Sequence, residues 1–145
     1  MNSHAIELVV VEDNHLNQKL FRDVFAINNI GTKICGNSDS ALEWLVVNPQ
    51  TKIALVDIGL PGAMNGLDLI KYIRRRDEWQ NLKIIAATAY SSTDDKKKII
   101  AAGANYFMAK PLNIKKLVEL VKYLMTSTEG AKLELATLEG ETYDW

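Results

Sequence analysis

The chain has a single cysteine, Cys35, among its 145 residues. That excludes an internal disulfide and a cysteine-built zinc centre, and makes a reducing compartment the simpler expectation. An excess of either charge is also missing: 17 basic and 18 acidic side chains leave a net charge of -1. No global field therefore draws the chain to nucleic acid or to an anionic membrane, and any partner must be met by a local surface. The opening residues, MNSHAIELVVVED, lack the basic start, extended apolar stretch and small-residue cleavage site of a secretory signal. No later run is long and apolar enough to span a bilayer. His4 and His15 have no second ligand near them at metal spacing. The expectation is a soluble, cytoplasmic chain of one domain, long enough to bury a continuous core and too short for a second full domain.

What is present is an alternation of two patterns. Short apolar runs, several of them β-branched and uninterrupted, occupy Ile6 to Val11, Thr32 to Cys35, Ile53 to Val56, Ile84 to Ala87 and Tyr106 to Met108; such runs suit strands covered on both faces. Helical periods lie between them. The first helix follows Asn14, a good N-cap, and puts Leu16, Leu20, Phe21, Val24 and Phe25 on one stripe. The second runs from about Ser38 through Ala41, Leu42 and Leu45 until Pro49. Gly66 precedes the third, whose Leu67, Ile70 and Ile73 face inward and whose carboxyl end carries Arg74, Arg75 and Arg76. A fourth starts near Ser92, with Asp94 and Asp95 in its first turn, and ends before Gly103; a fifth, from Asn113, carries Ile114, Leu117, Val118, Val121 and Leu124. Strand and helix alternate five times, which right-handed crossovers convert into an α/β fold: a parallel sheet with helices on both faces. The domain is expected over residues 1–125, with 126–145 as a frayed helix or loose tail.

Ligands of such sheets sit beyond the carboxyl ends of the strands. Glu12-Asp13 follows strand one, Asp57 ends strand three, Thr88 ends strand four and Lys110-Pro111 follows strand five, so these groups should share one rim. Three crowded carboxylates repel one another unless a cation neutralises them. An oxygen-only ligand set points to a hard ion, and Mg²⁺ fits best because it is often held by one or two carboxylates plus phosphate oxygens. Lys110 and Thr88 suit phosphate, and a carboxylate can itself attack phosphorus; Asp57, after a buried strand and before the GLPGAMNG loop, is the candidate nucleophile.

These residues resemble the receiver domain of two-component response regulators. The resemblance covers Ile6 to Met125 and rests on VVEDN at 10–14, DIGLP at 57–61, NGLDL at 65–69, ATAY at 87–90 and AKP at 109–111. It implies a flavodoxin-like, doubly wound sheet of order 2-1-3-4-5 with five helices. It also implies Asp57 as phosphoacceptor, Glu12 and Asp13 holding Mg²⁺ with Asp57 and the Gly59 carbonyl, Thr88 as switch hydroxyl, and Lys110 on the phosphoryl group. Phe107 stands at the switch-aromatic position, where tyrosine is frequent, and has a second reading as plain core. The loop from Pro61 to Gly66 is one residue longer than the usual spacing. The partners implied are a histidine kinase or histidine phosphotransfer protein as donor, and a protein target on the face of helix four, strand five and helix five. No DNA-binding output is expected, and the chain is expected to be a monomer or weak dimer.

Taken singly, each residue has an ordinary reading. Asp57 could form a turn, Glu12-Asp13 could cap a helix, and Arg74 to Arg76 and Lys96 to Lys98 could be solvated faces. Trp44 and Trp79 read as helix-surface or edge packing residues. Other functions have specific counter-signals. A haloacid-dehalogenase-type phosphatase places a second aspartate where Gly59 stands, and a flavin phosphate would meet the charge of Glu12-Asp13. A degenerate receiver would not keep the full acidic, hydroxyl and lysine set. Met1 and the trailing residues suit a free-standing protein, while a receiver cut from a hybrid kinase would look similar.

Overall fold

The computed structural model describes residues 5–126. The order of elements is β1 (Ile6–Val11), α1 (His15–Ile27), β2 (Gly31–Cys35), α2 (Ser38–Val47), β3 (Ile53–Asp57), α3 (Gly66–Arg74), a 3₁₀ turn (Asp77–Trp79), β4 (Lys83–Thr88), α4 (Thr93–Ala102), β5 (Tyr106–Ala109) and α5 (Ile114–Thr126). The strands form one parallel sheet in the order β2-β1-β3-β4-β5, as the resemblance implies. The expected tail over 126–145 lies, apart from Thr126, outside the described residues, as do His4 and Trp145. Among the described residues no helix is long and apolar enough to cross a membrane.

The uninterrupted apolar runs are explained by two cores. Strand side chains alternate in direction, so Val9, Val11, Ala54, Val56, Ile84, Ala86 and Phe107 pack under α2, α3 and α4. Their neighbours Leu8, Val10, Ile53, Leu55, Ile85, Ala87 and Met108 pack under α1 and α5. Cys35 is buried at the end of β2, where burial pushes its thiol pKa up; it is an inert packing residue.

Helix starts follow the side chains expected of them. Asn14, Asn37, Asn65 and Ser92 each accept the amide three residues on. Asn65 and Asp68 form a reciprocal capping box, so Gly66 is the first residue of α3 rather than the one before it.

Three expectations are corrected. Leu16 and Leu20 are 79% and 43% exposed, and only Phe21 and Phe25 of the α1 stripe are buried; periodicity marks a face but not how much of it a neighbour covers. Trp79 is buried at 6%, because the 3₁₀ turn folds it under the sheet beside Leu45 and Leu82. Arg74 is no solvated helix end. Its guanidinium donates to the carbonyls of Gly103, Trp79 and Leu82 and to Asn105 Oδ1 at 2.7–3.0 Å, stapling α3 to the segments flanking β4 and β5. Lys96 likewise lies over the Phe107 ring, 5.2 Å from its centroid.

Arg74→Ala strips these carbonyls of a half-buried donor and should cost about 2–4 kcal/mol in chemical denaturation. Arg74→Lys should recover little, since an ammonium cannot reproduce the planar fork.

Candidate functional site

The register levels the strand ends. Val11 pairs with Val56, Asp57 with Ala87, and Thr88 with Ala109, so Glu12, Asp57, Thr88 and Lys110 emerge on one rim. The order of strands reverses between β1 and β3, the position where open α/β sheets bind ligands.

One carboxylate oxygen from each of Glu12, Asp13 and Asp57 falls within 4.8 Å of the others. Glu12 and Asp57 are buried at 3% and 6% exposure, and Asp13 is exposed on the solvent side. Asp57 Oδ1 accepts from Lys110 Nζ at 2.8 Å and from the Gly59 amide at 2.9 Å. Its Oδ2 accepts no hydrogen bond among the described residues. The Lys110 amide donates to Thr88 O at 2.8 Å and the Lys110-Pro111 peptide is cis. Gly59 therefore meets Asp57 through its amide. The Thr88 hydroxyl is turned to the backbone of Tyr90, donating to its carbonyl and accepting from its amide. Phe107 is 3% exposed and turned into the core under α4.

Glu12 is held by its own turn, the Asn14 amide donating to Oε2 at 3.0 Å. Burial is the largest cause pushing its carboxyl pKa above the usual glutamate value; the Asp57 charge adds to this, while the Asn14 amide and Lys110 oppose it. A carboxyl with a raised pKa binds its proton more tightly folded than unfolded. Its contribution to stability is therefore present below the unfolded pKa and lost as pH rises through the folded one. Ionising Glu12 thus weakens the metal-free fold, and Glu12→Gln should raise the melting temperature of metal-free protein above the pH at which the folded glutamate loses its proton, with the gain vanishing in acid. The donor set fits a hard divalent cation: oxygen ligands only, two of them buried, with Lys110 the one lysine paired to the three carboxylates among the described residues.

Two contacts near the rim were not foreseen. Gln18 Nε2 donates to Glu12 O at 2.7 Å. Ser38, buried at the start of α2, donates to Met64 O at 2.9 Å and ties down the loop after Asp57. The signal for both was a polar residue in the first turn of a helix beside the site. Leu16 and Leu20 stand exposed on α1 by the same rim, where Leu20 lines a cleft of about 260 Å³ with Glu12, Lys110 and Pro111.

Comparison with known proteins shows the family to which this fold belongs. The sequence model of the response regulator receiver domain matches residues 8–122. The polar-differentiation response regulator DivK of Brucella anthropi is 32% identical over 115 residues, covering 79% of this chain and 92% of that protein. Among solved structures, a putative response regulator from Chloroflexus aurantiacus superposes with a TM-score of 0.74 at 26% identity, covering 81% of this chain and 94% of that one. The chemotaxis protein CheY4 of Vibrio cholerae, at 17% identity, shares the fold with a TM-score of 0.75 over 83% of this chain and 99% of its own. The chain belongs to the response regulator receiver family of two-component signalling.

Proposed function

We propose that the protein is a phosphoacceptor switch in a two-component phosphorelay, taking a phosphoryl group on Asp57 with the help of Mg²⁺. The observation that carries this reading is the convergence of Glu12, Asp13 and Asp57 within 4.8 Å, with Lys110 Nζ 2.8 Å from the Asp57 carboxylate.

The chemistry follows from these side chains. Lys110 and the Gly59 amide engage Oδ1 and orient the carboxylate, which leaves Oδ2 as the attacking atom. As the bond from Oδ2 to phosphorus forms, the bond from phosphorus to the donor's imidazole nitrogen breaks, and that nitrogen keeps the electron pair. Negative charge spreads over the transferring oxygens, and the ammonium of Lys110 is placed to offset it. Glu12, Asp13, Asp57 and the Gly59 carbonyl would hold Mg²⁺, which supplies neutralisation of the carboxylates and of that charge. Thr88 gives up its contacts with Tyr90 to meet the phosphoryl group, and Phe107 follows as the switch aromatic, shifting the population between two states of the face formed by α4, β5 and α5. That face meets a protein target; no contact with nucleic acid or membrane is assigned. The donor is a histidine kinase or histidine phosphotransfer protein, the location the cytoplasm, and the assembly a monomer or weak dimer. Activity toward its own phosphoryl group is limited to slow self-dephosphorylation, since Gly59 offers no acid or base.

Exposed Leu16 and Leu20 beside the rim give the donor an apolar landing. Leu16→Asp with Leu20→Asp should slow transfer from a phosphohistidine protein by about tenfold or more while leaving uptake from a small phosphodonor unchanged. The reading as a whole is tested by incubating purified protein with phosphoramidate. Uptake of one phosphoryl group per chain that requires Mg²⁺ and stops with chelator supports it; rapid repeated turnover of an added phosphomonoester overturns it.

A further inference from the structure

The end of β1 carries a carbonyl that the sheet does not satisfy. Glu12 continues the β1 to β2 ladder by donating its amide to Cys35 O at 2.9 Å. β2 then stops at Cys35, and the chain turns through Gly36 toward α2. On the other side, the Ile58 amide is taken by Ala87 O of β4 at 2.9 Å. The donor for Glu12 O comes instead from α1: Gln18 Nε2 reaches it at 2.7 Å, across six residues. The half-buried Gln18 carboxamide lies over Gly36, where even an added Cβ would stand 3.6 Å from Nε2.

The same residue closes the turn a second time, since the Gln18 amide donates to Asn14 O at 2.9 Å. Asn14 in turn donates to Glu12 Oε2 at 3.0 Å. Glu12 is thus pinned at its amide, its carbonyl and its carboxylate. The tie to the carbonyl is made by the side chain of Gln18.

We infer that Gln18 is a positioning residue for the divalent-cation site: by anchoring the Glu12 carbonyl it sets the direction in which Glu12 and Asp13 present their carboxylates. The inference rests on the metal site proposed above. Partners that orient ligands are commonly worth about 10–100-fold in metal affinity, and a hydrogen bond to the backbone of a ligand residue acts at the same remove. Gln18 bonds the backbone of Glu12, so its effect is on the geometry of the pair.

The test is calorimetric titration of the full-length chain with MgCl₂, alongside melting curves, for the wild type, Gln18→Met, Gln18→Glu, Gln18→Arg and Asp13→Asn. Gln18→Met keeps the length and loses the donor, and should weaken Mg²⁺ binding by about tenfold. The charged pair separates positioning from simple electrostatics. An added negative charge alone would make Gln18→Glu the tightest binder and Gln18→Arg the weakest. Positioning predicts the reverse order, because the arginine restores an N–H donor to the carbonyl and the carboxylate cannot. A Gln18→Met variant that binds Mg²⁺ as the wild type does, while Asp13→Asn does not, overturns the inference and leaves the metal site standing. Gln18→Glu binding more tightly than Gln18→Arg overturns it equally. Should Asp13→Asn bind as tightly as the wild type, the metal-site reading fails and this inference falls with it.

Discussion

The Asp57→Asn protein is expected to fold normally and to take up no phosphoryl group from any donor. The amide keeps an oxygen at Oδ1 to accept from Lys110 Nζ and the Gly59 amide, so the β3 end and its neighbours need not rearrange. What is lost is the anionic oxygen at Oδ2. A neutral carboxamide is a poor nucleophile toward phosphorus, and where a nucleophile acts with its partners as a unit, removing it costs about a thousandfold or more. Phosphoryl incorporation measured by phosphate-affinity gel shift should fall to background with phosphoramidate and with a phosphohistidine protein alike. The melting temperature of the metal-free variant should hold or rise, because one of three crowded charges has gone. Retention of uptake at the wild-type rate would move the acceptor to another residue.

Gly66→Ala should damage the fold and the site together. Gly66 opens α3 directly against the strand that ends in Asp57, and a Cβ there would overlap the Asp57 carbonyl oxygen and crowd the Asp57 carbonyl carbon and Ile58 Cα. All three are backbone atoms, so no side-chain rotation relieves the overlap; either α3 or the end of β3 must shift. Overpacking against an unyielding partner costs about 3 kcal/mol or somewhat more, a large part of the 5–15 kcal/mol that typically holds a domain folded. For a domain of this size the melting temperature should drop by roughly 10–15 °C. Phosphoryl uptake by the fraction still folded should fall as well, since the displaced atoms carry the acceptor. Glycine is required here by space rather than by dihedral angle. Gly103 differs in having φ +121° and in packing its Cα side against the Arg74 stem.

The architecture was legible because β-branched runs bounded by Asn and Ser caps leave few alternatives, and strand ends fix where a parallel sheet collects its polar groups. Glu12, Asp13, Asp57 and Lys110 needed nothing more than that rule, and the structure brings their side chains together. The misses share a physical reason: each depends on what a neighbouring segment does. Leu16 and Leu20 lie on the apolar face of α1, but no element among the described residues covers that end of it. Arg74 looked like a helix-end charge because the carbonyls it binds arrive from Trp79, Leu82 and Gly103, on segments whose placement helical period cannot supply. Trp79 is buried by a 3₁₀ turn too short to show a period. The orientation of the Thr88 hydroxyl toward Tyr90, and the reach of Gln18 to Glu12, are single rotamer choices made against local backbone.

The central claim is that one carboxylate among three becomes an acyl phosphate under the control of a divalent cation. Its most direct measurement is to react the wild-type protein with phosphoramidate and Mg²⁺, reduce the product with borohydride, and map the modified residue by peptide mass spectrometry. The account predicts reduction to homoserine at position 57, absent when Mg²⁺ is chelated. A label on Glu12, Asp13 or a histidine, or one at Asp57 that forms equally without the metal, would contradict it.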